Sequence, residues 1–439
     1  MSNRNLYIPA CFTIAACLLA LACPASAYVV YFKNGSTMEV AAHRVEGGKV
    51  YLKMKSGEAA FDKDQFDLVK TQADYDAYKL VLDKGKGLLD KGDFTSAVEL
   101  YKTLTSKDSV DVQVRYMLGR ALAGAKKYEE AIYEFRRVQE LDPAWPYVRT
   151  RLGEIYYKQG NYYEAIDQFL LALDEDAKDK EAHLGLGMCY AKQEMFEGAK
   201  TELTKAIELR PGYSDAYSML GYVYYKKSDF TAALDSLDRA VAGDPNLPDA
   251  YYYMGLVYGV LGVEAADSKK RLDFFDKSIE SFRKAVTLRY DFPEAHADLG
   301  VAFYNRGSAA RAVEEFNIAL TQKPDMAVTH NNLAGVYNRR GFYEEAVAEA
   351  KKAVAIDPRL VEAYFVMGNA YANMRKFKEA AGAYDRYLYY SPDGDLSEEV
   401  RQRLDRVEQE GGLTPTGSGQ PSQTGKSDQP AKPGGQPSR

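Results

Sequence analysis

Apolar residues recur along most of the chain with a period of 34 residues. A Leu-Gly pair returns at this interval, at Leu118-Gly119, Leu152-Gly153, Leu186-Gly187 and Leu220-Gly221. An alanine keeps the same interval, at Ala97, Ala131, Ala165, Ala199 and Ala233. Within each period the apolar residues fall at the spacing of two successive amphipathic helices. One such pair cannot bury its apolar face alone, so the pattern predicts stacked helix pairs with a continuous core.

Nine repeats fit residues 78–394. They begin at residues 78, 112, 146, 180, 214, 248, 293, 327 and 361. The first departs from the pattern, with Lys84 where leucine is expected, and the sixth carries 11 additional residues near 263–273. We predict that these residues lengthen the second helix of the sixth repeat and expose its charges. A partner contact at this projection is the alternative.

Residues 28–73 have the pattern of a different structure. Asn34-Gly35 is a strong signal for a two-residue hairpin turn, because both positions need positive φ. Val50, Leu52 and Met54 alternate with polar or aromatic residues, which is the period of a half-buried strand. The segment therefore predicts a small module of four or five short antiparallel strands.

The residues after the repeats fall into two segments. Residues 395–410 carry Val400, Leu404 and Val407 at helical spacing, which predicts a capping helix that closes the array. In residues 411–439, 23 of 29 positions are Gly, Pro, Ser, Gln or Thr. This composition predicts a disordered tail.

The N-terminal 27 residues have the features of a secretory signal. Arg4 precedes an apolar stretch, and Ala25-Ser26-Ala27 forms a cleavage site for a signal peptidase. We therefore expect an exported, periplasmic protein. The alternative is a lipoprotein signal that ends at Cys23, in which case a lipid on Cys23 would anchor the protein at the outer membrane. After cleavage only Cys189 remains, so no intrachain disulfide can form.

Composition and motifs argue against several functional classes. The formal net charge is -6, so the chain lacks the excess of basic residues that binds nucleic acid. The sequence contains no phosphate-binding loop, nucleophile elbow, zinc-protease motif or C-x-x-C pair. His183, His296 and His330 share one repeat position, which favours packing over metal binding. We predict no enzyme activity, no cofactor and no metal.

The repeat pattern resembles the tetratricopeptide repeat family, whose period is also 34 residues. The resemblance covers residues 78–394 and implies a mainly α fold. This fold is an α-solenoid, a right-handed superhelix of helix pairs, preceded here by the small antiparallel β module. It also implies a concave groove, lined by the first helix of each repeat, in which a protein or peptide partner binds.

The family's groove positions assign candidate partner-binding residues in this chain. They are the second, fifth, sixth, ninth, twelfth and thirteenth positions of each repeat. The aromatic candidates are Tyr116, Tyr147, Tyr157, Tyr222, Tyr225, Tyr252, Tyr304 and Phe365. The polar candidates of the last two repeats are Asn331, Asn332, Asn338, Arg339, Asn369 and Asn373.

Lys158, Lys192 and Lys226 occupy the thirteenth position of three consecutive repeats. They suit contact with an acidic ligand, or they stabilise helix C-termini through the macrodipole. The residues that hold a C-terminal carboxylate in chaperone-binding members are absent, and so is the asparagine ladder of members that act on glycosylation targets. The sequence thus predicts an interaction scaffold or assembly factor of the bacterial envelope. A scaffold that binds or exports polysaccharide is the alternative.

Overall fold

The computed structural model describes residues 69–107 and 111–413, together with five strands between residues 28 and 62. The predicted signal over residues 1–27 and residues 414–439 of the predicted tail lie outside this described part. None of the described helices combines the length and the apolar character needed to cross a membrane.

Six strands form two antiparallel sheets of three strands each. The strands are β1 (Tyr28–Tyr31), β2 (Thr37–Val40), β3 (Ala42–Glu46), β4 (Lys49–Met54), β5 (Gly57–Asp62) and β6 (Val69–Thr71). The first sheet has the order β2-β1-β6 and the second β3-β4-β5. The sequence predicted four or five strands, and the structure has six; the short β6 has three residues and runs directly into a helix.

Nineteen helices follow in the described part of the chain, as nine antiparallel pairs and one final helix. Their bounds are α1 (Gln72–Asp90), α2 (Phe94–Lys107), α3 (Val112–Gly124), α4 (Tyr128–Leu141), α5 (Val148–Lys158), α6 (Tyr162–Glu175), α7 (Lys180–Lys192), α8 (Phe196–Leu209), α9 (Ser214–Lys226), α10 (Phe230–Gly243), α11 (Pro248–Glu264), α12 (Ser268–Leu288), α13 (Pro293–Asn305), α14 (Ala309–Gln322), α15 (Ala327–Arg339), α16 (Tyr343–Ile356), α17 (Val361–Asn373), α18 (Phe377–Tyr390) and α19 (Ser397–Gly411). In each pair the odd-numbered helix is here called helix A and the even-numbered one helix B.

Helix A begins at the first position of the predicted repeat in all but two repeats. In the first repeat it begins at Gln72 instead of 78, because the helix follows β6 without a loop. The predicted β module, with its end at residue 73, therefore overlaps this helix by two residues. In the third repeat it begins at Val148 instead of 146, because Tyr147 has φ of 64°, which is left-handed and not helical.

The described helices belong to two compact units, one ending at Pro211 and the other beginning at Gly212. The first unit contains α1–α8, and Leu118, Phe135 and Leu152 lie in its core. The second contains α9–α19, with Leu237, Phe282, Phe316 and Tyr384 among its buried residues.

Within a repeat, the two helices approach each other at a glycine of helix A. A methyl group at this glycine would meet a large side chain of helix B at 2.4–2.9 Å. The pairs are Gly85–Tyr101, Gly119–Phe135, Gly153–Phe169, Gly187–Leu203, Gly221–Leu237, Gly255–Phe282, Gly300–Phe316 and Gly368–Tyr384. In the eighth repeat Ala334 takes the place of the glycine, and the small Ala350 takes the place of the large side chain. A ring or leucine thus packs where helix A has no Cβ.

The additional residues of the sixth repeat lengthen both of its helices, and not helix B alone as predicted. Helix α11 has 17 residues, where α9 has 13, and α12 has 21, where α10 has 14. The turn between them begins at Ala265, and Asp267 caps α12 by accepting a hydrogen bond from the Lys270 amide. The cause is local: the Asp267 cap starts α12 at Ser268, seven residues earlier than the spacing counted back from the next repeat at Pro293 predicts.

The last helix, α19, runs one residue beyond the predicted capping helix, and Leu413 follows it into the core. Gly412 adopts a left-handed conformation, and the Leu413 amide donates a hydrogen bond to the Glu408 carbonyl at 2.9 Å. Leu413 also packs against the apolar cluster that contains Val400 and Leu404. This is a glycine-dependent helix stop. The prediction of a disordered tail is therefore wrong for residues 411–413.

Candidate partner-binding groove

The predicted groove tyrosines of the first unit pack partly against their neighbours. Tyr116 on α3 is half-buried, with its ring centroid 5.6 Å from that of Phe135. Tyr157 on α5 is also half-buried, and its ring lies 5.5 Å from Tyr162. Each ring keeps an accessible part, so both can contribute to packing and to recognition.

Tyr147 is placed differently from its prediction, because it precedes α5 and is not part of helix A. Its side chain is 47% exposed. It lines a cavity of about 370 Å³ together with Trp145, Arg149 and Asp179. The left-handed backbone of Tyr147 causes this placement.

The three lysines of the predicted column share a local environment. Lys158, Lys192 and Lys226 are the last residues of α5, α7 and α9, and all three are exposed. None of them forms an ion pair with a residue of the described part of the chain. Their positive charges lie near the carbonyl ends of their helices, which is favourable by about 0.3–1 kcal/mol each.

In the second unit, four tyrosines and one carboxylate form a cluster on helices α9, α11 and α13. We call Tyr222, Tyr225, Tyr252, Tyr253 and Asp298 the tyrosine–aspartate cluster. The Tyr252 hydroxyl donates a hydrogen bond to Oδ2 of Asp298 at 2.8 Å. Ring centroids are 4.9 Å apart for Tyr222 and Tyr253, and 5.7 Å for Tyr252 and Tyr253. All five residues are partly buried and keep some contact with solvent.

Burial governs the electrostatics of this cluster. Desolvation raises the pKa of the Asp298 carboxyl to about 6; the hydrogen bond from Tyr252 opposes this shift, and the charge of Glu294 adds to it. Desolvation and the Asp298 charge raise the pKa of both Tyr252 and Tyr225. The cluster therefore holds one negative charge among neutral phenols.

The polar candidates of the eighth repeat lie on α15 beside the seventh repeat. Arg339 Nη1 donates a hydrogen bond to the Tyr304 hydroxyl at 2.9 Å, and its guanidinium lies 5.4 Å from the centre of that ring. Asn331, Asn332 and Asn338 are partly buried. The side-chain oxygens of Asn331 and Asn338 are buried and accept no hydrogen bond from a described residue.

The candidates of the ninth repeat contact the final helix. Asn369 Oδ1 accepts hydrogen bonds from the Tyr384 hydroxyl at 2.7 Å and from Arg403 Nη1 at 3.1 Å. The Arg403 guanidinium lies 5.3 Å from the ring centre of Phe365. Asn373 is exposed at the end of α17. Packing of α19 thus occupies Phe365 and Asn369, whereas Asn373 remains accessible.

Asp298 is the groove residue that the sequence reasoning missed. It occupies the sixth position of the seventh repeat, which is one of the family's groove positions, and it lies between Ala297 and Leu299. A carboxylate between two apolar residues on a helix face was a sufficient signal. The predicted groove candidates were aromatic, basic and amide side chains, so the carboxylate of Asp298 was not among them.

Three histidines of the repeats form hydrogen bonds within the fold. In the fourth, seventh and eighth repeats the Nδ1 atom lies 2.6–2.7 Å from a glutamate of helix B. The Nε2 atom lies 3.0–3.3 Å from a backbone carbonyl six residues earlier. The pairs are His183–Glu202, His296–Glu315 and His330–Glu349. Each ring therefore joins helix B to the segment that precedes its own helix A.

The described residues form neither a metal site nor a reactive cysteine. No group of three or more His, Cys, Asp or Glu side chains there is arranged to hold a metal ion. Cys189 is buried, and desolvation raises the pKa of its thiol to about 12, so the thiolate nucleophile does not form near neutral pH.

Comparisons with known proteins agree with the repeat architecture. Family models described as tetratricopeptide repeat match residues 82–146, 122–189, 156–220, 263–327 and 361–393, and one described as TPR repeat matches 221–262 and 335–374. No curated protein is similar enough to the chain to count as a match.

Two solved structures share the fold, and a third is a weaker match. The APC/C hetero-tetramer Cut9–Hcn1 is 18% identical with a TM-score of 0.55, over 66% of this chain and 55% of that one. A human IFIT1 dimer with m7Gppp-AAAA is 16% identical with a TM-score of 0.54, over 72% and 77% of the two chains. The pilF protein of Pseudomonas aeruginosa is 18% identical with a TM-score of 0.45, over 52% and 99%. The chain thus spans about half the length of Cut9–Hcn1, the first of these structures.

Proposed function

The chain belongs to the tetratricopeptide repeat family, and on this premise we propose that it is a non-catalytic scaffold that binds an extended protein or peptide partner along helix A of its repeats. Proteins of this family bind protein or peptide partners and are generally not enzymes. The tyrosine–aspartate cluster is the observation that carries the proposal. Rigid amphipathic rings that remain accessible on adjacent helices are effective recognition groups, because they lose little rotamer entropy on binding.

We further propose that the scaffold acts in the bacterial envelope. The support is the export signal that the sequence predicts over residues 1–27. Cleavage after Ala27 gives a periplasmic protein that begins at Tyr28, whereas a lipid on Cys23 anchors it to the membrane. The mass of the mature N-terminal peptide distinguishes these two products, and only the lipidated form requires detergent for extraction.

The partner of this scaffold is identified by capture from envelope extract. The chain without residues 1–27 is immobilised, and retained proteins are identified by mass spectrometry in parallel with a glycan pull-down. We expect a retained protein that is lost when Tyr225 is replaced by alanine. Truncation of a recognition tyrosine costs about 2 kcal/mol, or about thirtyfold in affinity.

The matched control for this experiment is Tyr389→Ala, which removes a ring that is 53% exposed on helix B. This control should retain the partner. Retention of glycans alone would favour the polysaccharide scaffold. Equal retention by the wild-type and Tyr225→Ala chains would contradict the groove assignment.

A further inference from the structure

The Asp298 carboxylate is partly buried without a cation beside it. The Tyr252 hydroxyl is its hydrogen-bond donor, at 2.8 Å. No basic side chain of the described residues forms an ion pair with it. A carboxylate withdrawn from water needs a positive partner to recover the lost solvation, and here the fold does not supply one.

Arg289 and Arg339, two arginines close to this part of the fold, have other partners. Arg289 forms a two-pronged ion pair with Asp249, and its guanidinium lies 4.6 Å from the ring centre of Phe292. Arg339 is held by Tyr304. Moving either arginine to Asp298 would break these contacts, so neither of them supplies the cation, and a bound partner can.

The rings of the cluster suit a cation next to this carboxylate. The ring of Tyr253 lies 4.9 Å from that of Tyr222 and 5.7 Å from that of Tyr252, so it joins the other two rings, with their planes tilted by 36° and 52°. Aromatic faces attract ammonium and guanidinium groups by about 0.5–2 kcal/mol. They also pack against the methylene stem of a lysine or arginine.

The next repeat continues the surface with hydrogen-bond acceptors. The contact from Tyr252 to Asp298 joins the fifth position of one repeat to the sixth position of the next. In the eighth and ninth repeats the same two positions are Asn331 and Val366. The Val366 side chain cannot donate a hydrogen bond, and the Asn331 side-chain oxygen is buried without a donor. Asn338 has the same deficit. Rotation of each buried amide toward the helix A face would let these oxygens accept hydrogen bonds from the free N–H groups of an extended backbone.

We propose that the helix A face of the second unit binds an extended peptide segment that places a lysine or arginine side chain against Asp298. The stem of that side chain lies on the tyrosine rings, and the peptide backbone continues past Asn331 and Asn338. This inference rests on the proposed function and adds the charge of the residue that the partner must supply. The exposed Lys226 accommodates an acidic residue of the same segment outside the cluster.

A peptide library with one fixed residue tests the proposal. The probe is a set of immobilised seven-residue peptides with a fixed central residue and random flanks, incubated with the labelled chain that lacks residues 1–27. The fixed residues are lysine, arginine, citrulline, norleucine and glutamate. Citrulline and norleucine keep the shapes of arginine and lysine without the charge.

The matched variants are Asp298→Asn and Asp325→Asn. Asp298→Asn removes the charge but keeps an oxygen that accepts the Tyr252 hydrogen bond. Asp325→Asn removes the same charge from an exposed turn of the same unit. We expect the wild type and Asp325→Asn to prefer lysine and arginine over their neutral analogues by at least about thirtyfold, and Asp298→Asn to lose this preference.

The possible results separate this proposal from the function on which it rests. A preference for norleucine or citrulline that depends on Tyr225 would keep the groove and overturn the basic residue. A lysine or arginine preference that survives in Asp298→Asn would overturn the role of Asp298. Failure of every peptide to bind above background would overturn both this inference and the proposed peptide groove.

Discussion

Gly300 lies directly against the ring of Phe316, so that a methyl group on the glycine would stand 2.7 Å from the ring carbon Cε1. Phe316 is fully buried and cannot move without displacing its neighbours. A glycine contacts a large side chain of helix B in the other repeats as well, with leucine in place of a ring in the fourth and fifth, apart from the eighth, where both residues are alanine.

Replacement of Gly300 by alanine should therefore destabilise the second unit. Overpacking costs about 1–3 kcal/mol, and the better helix propensity of alanine offsets up to about 1 kcal/mol of it. Urea unfolding followed by circular dichroism measures the change. The control is Gly335→Ala on α15, where no atom lies within 4 Å of the added methyl, and this variant should be more stable than the wild type. A stabilised Gly300→Ala protein would refute the close contact.

A second variant tests the pairing itself. In a Phe316→Leu background the smaller side chain relieves the contact, so addition of Gly300→Ala should cost less than it does in the wild type. The double-mutant cycle should give a coupling of about 1 kcal/mol or more. Additive effects would show that the glycine and the ring do not interact.

A left-handed residue recurs in the turn from helix A to helix B. Glycine occupies this position at Gly92, Gly160, Gly307 and Gly341, whereas Glu194 and Ser228 adopt it with φ of 60°. A residue with a Cβ pays about 1 kcal/mol for this conformation. Glu194→Gly should therefore raise the melting temperature, and Gly160→Ala should lower it. The two changes in melting temperature need not be equal in size. Melting temperatures that both rise or both fall would contradict this account.

The raised pKa of the Asp298 carboxyl predicts that the free energy of unfolding depends on pH. Its pKa is raised to about 6 in the folded chain, against about 3.9 when unfolded. The folded state then binds more protons between these values, so stability should fall as pH rises from about 4 to about 6, by up to about 3 kcal/mol. The charge of Glu294 adds to this shift, whereas Tyr252 and Tyr225, whose pKa values are raised, stay neutral over this range.

Asp298→Asn is the variant that isolates this dependence. It should be more stable than the wild type at pH 7, and the difference between the two proteins should disappear near pH 4. Chemical denaturation at several pH values measures both quantities. A constant difference across that range would mean that Asp298 keeps an ordinary pKa.

The thiol of Cys189 should react only when the first unit opens. It is fully buried and its pKa is raised to about 12 by desolvation, so neither access nor ionisation favours reaction. In the chain without residues 1–27, modification by an aromatic disulfide reagent should follow the rate of unfolding and accelerate with urea. Rapid stoichiometric labelling of the native chain would contradict the burial.

The period of 34 residues was sufficient to predict the helix pairs and most starts of helix A, because each repeat repeats the same packing problem. It was insufficient where a local cause overrides the period. The left-handed Tyr147 delays α5, the Asp267 cap divides the sixth-repeat insertion between two helices, and Gly412 stops α19 after Gly411. The cluster around Asp298 combines residues of three repeats, and its geometry requires the register between repeats, which no single repeat contains.

The insertion of the sixth repeat also has a consequence for how the chain can change length. Its 4 residues in α11 and 7 in α12 amount to about one and two helical turns. Both helices therefore return to the inner part of the repeat with nearly the same rotational phase. Whole turns can be added or removed at the Ala265–Asp267 bend as paired units, which makes this hairpin tip a permissive point for fusing a reporter or an epitope without disturbing the repeats on either side.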